Sequence, residues 1–124
     1  MNTTLVALLL FDGGLHLFLA PAHLTAWPLL GASFLACGIV QCALATLVRD
    51  GRRGPLAGGI VGASAVALLA YLLAVTSGLP LAPAAHSGAE SVTPLGLVSK
   101  LAELATLGLA SIGTRRRLGS SAFA

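Results

Sequence analysis

Three ionisable residues stand inside otherwise apolar stretches: Asp12, Lys100 and Glu103. His16 follows Asp12 by four residues and Lys100 precedes Glu103 by three, so on helices each pair shares a face. Carboxylates beside an imidazole and an ammonium are groups that pass protons or hold cations. If the segments carrying them run antiparallel, the two acids lie level, and His16 and Lys100 form a layer about one turn, or 5 Å, above them. Two acids against one certain cation leave a surplus negative charge. Either a carboxyl keeps its proton or His16 takes one.

Other polar residues recur at helical spacing. Ser33, Cys37 and Gln41 come every four residues, and Ser64 and Tyr71 are seven apart. These residues predict a polar seam through a helix bundle, with Asp12–Lys100 and His16–Glu103 contacts joining the first segment to the last. His16, His23 and His86 fall toward one end of the predicted bundle, with Cys37 deeper. Imidazoles so placed are candidate ligands for copper, zinc or haem. No H-x-x-x-H or C-x-x-C spacing occurs, and no cofactor is predicted. Cys37 and Cys42 point about 140° apart on one helix and do not pair with each other.

The elements that position these groups follow from composition. The chain has 124 residues, 56% hydrophobic and only 9% charged, with a mean hydropathy of +0.94. Soluble domains are about 25% charged, so this composition excludes a soluble enzyme, a disordered segment and a disulfide-stapled module. It predicts an all-α, four-helix transmembrane bundle forming one domain over residues 1–124. A crossing needs about 20 apolar residues, and four apolar runs occur, at about 4–20, 27–48, 56–77 and 94–112. Pro21 is expected to end the first, the Arg49–Pro55 stretch the second, and Gly78-Leu79-Pro80 the third. A loop follows over 78–93, and Pro94 suits a helix first turn. The first run lacks a preceding basic residue and is interrupted by Asp12-Gly13-Gly14, so it is read as a retained span and not a signal peptide.

The arginines set the expected orientation. Arg49, Arg52 and Arg53 separate spans two and three, and Arg115, Arg116 and Arg117 lie in a basic tail at 113–124. Both clusters belong to one side of a four-span protein, and the opposite loops contain no lysine or arginine. The positive-inside rule then predicts cytoplasmic termini in the cell membrane, with Trp27 at the outer interface. The net charge of +3 therefore speaks for orientation and not for nucleic acid. Gly58-x-x-x-Gly62 and Gly59-x-x-x-Ala63 in span three, with Gly31 and Gly38 in span two, predict close helix packing, chiefly within the chain.

The stretch Gly14-Leu-His16-Leu-Phe-Leu-Ala-Pro21-Ala-His23-Leu, continued by Trp27-Pro28-Leu-Leu-Gly31 and Gly38-Ile-Val-Gln41, resembles a family of small four-span membrane proteins from actinobacteria. Gly78-Leu-Pro80-Leu-Ala-Pro83 and the stretch from Glu90 to Gly96 resemble its second signature. This resemblance spans most of the chain, implies the same fold, and draws attention to His16, Pro21, His23 and Pro80. Asp12, midway along span one, is also similar in placement to the single acid of the small multidrug resistance transporters. The sequence departs from them in having Asp for Glu, a longer outer loop, a one-way arginine bias and a second mid-span acid, Glu103.

No nucleophile–base pair or phosphate loop is present. The expected function is a non-catalytic accessory or assembly subunit of a larger membrane complex, such as a respiratory one, with the bilayer, other membrane subunits or a second copy as partners. The alternative is a proton-coupled transporter or proton conductor using Asp12 and Glu103.

Overall fold

The structure is a computed structural model that describes the backbone of residues 2–121 and the side chains of residues 3–52, 56–85 and 87–112. The described chain is all-helical: α1 (Asn2–Ala26), α2 (Pro28–Leu47), α3 (Arg53–Thr76) and α4 (Pro94–Ser121), with a 3₁₀ turn at Ala84–His86. Each of the four long helices is long and apolar enough to cross a membrane. Their outward faces are apolar: Phe18, Val66 and Leu101 are 75%, 69% and 66% exposed. That is the inverse of a water-soluble bundle, whose outward residues are polar.

The helices begin and end where local chemistry dictates, with one correction. Pro21 does not end the first helix, which runs on to Ala26. Proline removes one backbone donor, a loss that apolar spans tolerate when the rest of the ladder holds. The chain instead turns at Trp27, which is extended (φ −151°, ψ 104°) and precedes Pro28 in the first turn of α2. A single residue thus joins α1 to α2, and no separate loop covers 21–26. The α2–α3 connection is a wide turn at Val48–Arg52, in which Gly51 adopts φ +85°. A side chain there would be strained. Thr93 caps α4, accepting from the Gly96 amide at 3.1 Å. At its far end α4 continues as helix to Ser121; the side chains of Arg53 and of Arg115, Arg116 and Arg117 lie outside the described residues.

The closest helix approach falls at Gly31 and Gly38, two of the small residues the sequence singles out, and not at those of span three. A methyl group added at Gly31 would run into the Leu24 backbone, and one at Gly38 would meet the Gly13 carbonyl at 2.8 Å. One at Gly13 would lie 2.9 Å from the Cys42 sulfur. The tight seam therefore joins α1 to α2, zipped by the one-residue hairpin. Gly58, Gly59 and Gly62 instead face open space, with no heavy atom within 4 Å of an added methyl. Small residues permit close approach but do not choose the partner.

Along its axis the bundle has three zones. At the end where α1 begins, Leu5, Leu9, Ala45, Val48, Ile60 and Ala110 form a closed apolar core. A buried polar layer containing Asp12, Gln41, Ser99 and Glu103 follows. Toward the Trp27 turn and the 77–93 loop, α2 and α3 separate around a cleft of about 620 Å³.

Candidate functional site

Asp12 is the centre of the polar layer and is 1% exposed. Its Oδ2 accepts from Gln41 Nε2 at 2.5 Å, and its Oδ1 accepts from Ser99 Oγ at 2.6 Å. Both oxygens thus have donors, one from α2 and one from α4, which suits an ionised carboxylate. Gln41 is where the seam prediction places it. Ser99 escaped sequence reading beside the more conspicuous Lys100, although it is polar in an apolar run and lies four residues before Glu103.

Lys100 is turned to its own helix. Its Nζ donates to Glu103 Oε2 at 2.5 Å and lies 5.5 Å from the centre of the Tyr71 ring. The predicted Asp12–Lys100 contact is replaced by this i,i+3 pair, because Gln41 and Ser99 already occupy both Asp12 oxygens. Glu103 is fully buried, and its other oxygen, Oε1, has no hydrogen-bond partner.

His16 sits between the two acids. Its Nδ1 donates to the Asp12 backbone carbonyl at 2.9 Å and lies 3.7 Å from Asp12 Oδ2. Its Nε2 is 3.8 Å from Glu103 Oε1, which brings the predicted His16–Glu103 neighbours together. The backbone bond assigns the proton of a neutral ring to Nδ1, leaving the Nε2 lone pair aimed at Glu103. With His16 neutral, Asp12, Glu103 and Lys100 sum to one surplus negative charge.

The other predicted residues divide. Cys37 is half-buried on α2 and lines the cleft with Tyr71, whose buried hydroxyl has no partner. Ser64 is buried on α3. Ser33 bonds its own helix at the Leu29 carbonyl, as exposed hydroxyls in helices do. Of the three histidines named as candidate ligands, two pack against one aromatic ring. The Phe34 ring touches both His16 and His23, with ring centres 5.3 Å and 4.3 Å away. His16 and His23 are about 10 Å apart along α1, and the side chain of His86 lies outside the described residues. A different group converges instead: a ring nitrogen of His16, the Cys37 sulfur and a Glu103 carboxylate oxygen lie within 4.8 Å of one another.

The cleft leads to this layer. Val40, Val66, Ala67 and Ala70 contribute to its apolar walls, while His16, Cys37, Ser99 and Lys100 lie among its lining residues. Its volume falls in the usual range for small-molecule sites, about 300–1,000 Å³. Comparison with protein-family models, curated proteins and solved structures finds no match to this chain.

Proposed function

We propose that the chain is a non-catalytic integral membrane protein, crossing the cell membrane four times with both termini cytoplasmic, that holds a cation at mid-membrane. The observation that carries this reading is the buried layer of two carboxyls, Asp12 and Glu103, facing one ammonium, Lys100, and the imidazole of His16, with His16 and Lys100 lining the floor of an apolar cleft. With His16 neutral and both acids ionised, this layer carries one surplus negative charge. A buried uncompensated charge is costly in lipid, roughly 2.5–3.5 kcal/mol on insertion scales. A cation arriving through the cleft would neutralise it. The arginine distribution supports the orientation, and the uncovered Gly58 and Gly59 of α3 support work as an accessory subunit beside another membrane helix.

Thermal stability of the solubilised protein tests the reading with two probes of like shape. Tetraphenylphosphonium should raise Tm, and tetraphenylborate should not. Ala67→Phe, which fills the cleft, should abolish the shift. Equal shifts from the cation and the anion would overturn the reading.

A second reading, proton-coupled transport through Asp12 and Glu103, is favoured by the place of His16 between their carboxylates. The closed core around Leu5, Leu9 and Ile60 favours holding a cation over conducting one. Proton flux into reconstituted vesicles decides between them: transport predicts a loss in Asp12→Asn, whereas equal flux from wild type and variant removes Asp12 from any such path.

A further inference from the structure

We propose that His16, Cys37 and Glu103 form a site for a divalent transition metal of the zinc class, bound by Nε2, Sγ and Oε1 with a fourth position open to the cleft. This inference rests on the cation-holding reading and names the cation.

Four observations converge on it. The three side chains come from α1, α2 and α4, and their ligand atoms already lie within 4.8 Å of one another. Tetrahedral zinc, with bonds of about 2.0–2.3 Å, needs ligand atoms about 3.3–3.5 Å apart. The His16–Glu103 separation of 3.8 Å is close to that, and small rotations of Cys37 and Glu103 supply the rest.

Glu103 is prepared as a ligand. Lys100 holds Oε2, while Oε1 is buried without a partner and points toward His16. His16 is prepared in the way metal-bound imidazoles are. Its Nδ1 proton goes to a backbone carbonyl, which fixes the ring and exposes the Nε2 lone pair. Asp12, whose carbonyl accepts that proton, is itself held by Gln41 and Ser99.

Charge selects a divalent ion. Binding breaks the Cys37 S–H bond, forms a metal–thiolate bond and releases the proton through the cleft, with no change in oxidation state. Asp12, Glu103 and the Cys37 thiolate then carry three negative charges against Lys100 and a doubly charged ion, so the layer is neutral. One imidazole, one thiolate and one carboxylate suit zinc and its neighbours, whereas calcium and magnesium take oxygen ligands.

Cobalt(II) is the probe. The full chain, purified in detergent and stripped with chelator, should bind one equivalent with a thiolate-to-cobalt band in the near ultraviolet and the visible bands of a tetrahedral ion. Zinc should displace it. Cys37→Ser should lose the near-ultraviolet band and bind at least tenfold more weakly, and Glu103→Gln should also weaken binding, whereas Cys42→Ser should match wild type. In unmutated protein, zinc should slow alkylation of Cys37 and leave that of Cys42 unchanged. Cobalt uptake without the thiolate band, no stoichiometric uptake, or a Cys37 that zinc does not protect would overturn the proposal. If tetraphenylphosphonium still stabilises the protein in that event, the metal assignment alone falls.

Discussion

Gln41 donates to the Asp12 carboxylate at 2.5 Å across twenty-nine residues of sequence, so an amide on α2 fixes the one acid of α1. Hydrogen bonds between membrane helices average only about 0.6 kcal/mol. This one is charge-assisted and buried, and such bonds contribute about 1.5–3 kcal/mol. Gln41→Leu should therefore lower unfolding free energy in mild detergent by about 1–3 kcal/mol. A loss no larger than that of Ser33→Ala, whose hydroxyl bonds only its own helix, would show that the bond contributes little.

Lys100 pairs with Glu103, whose side chain is fully buried. Breaking a buried pair by removing one partner costs about 3–5 kcal/mol. Lys100→Met should thus destabilise strongly, and Lys100→Met with Glu103→Gln should recover much of the loss. A double-mutant cycle of thermal unfolding measures the coupling, and additive losses would mean that the two side chains do not depend on each other.

The glycines of α2 and α3 should respond oppositely. Gly38→Leu drives a side chain into the Gly13 carbonyl and Leu17, and should lower Tm or prevent folding. Gly58→Ala meets nothing within 4 Å and removes a flexible helix residue, a gain of up to about 1 kcal/mol. The paired measurement is circular-dichroism melting in detergent, with a drop in Gly38→Leu and no drop in Gly58→Ala.

Orientation is open to direct measurement. An epitope inserted at residues 84–88 should be reached by antibody on intact cells, and one at residues 50–51 only after permeabilisation. The reverse pattern would refute the cytoplasmic placement of the arginine turn.

The fraction of charged residues and the length of the apolar runs were enough to specify four long helices. Hydropathy acts along the chain and needs no knowledge of neighbours. The pairing of Asp12 with His16 and of Lys100 with Glu103 was legible for the same reason: positions three or four apart share a helix face. Sequence overstated Pro21 as a stop, because in an apolar span the remaining backbone bonds carry the helix past it. What crosses from one helix to another was decided by packing. Ser99 took the oxygen expected for Lys100, Phe34 packed against both His16 and His23, and the glycines of α1 and α2 closed together while those of α3 stayed open. Cys37 met His16 and Glu103 only because three helices adopted a particular rotation about their axes. Residue spacing within one helix carries no information about that rotation relative to the others; the fit of side chains between helices sets it.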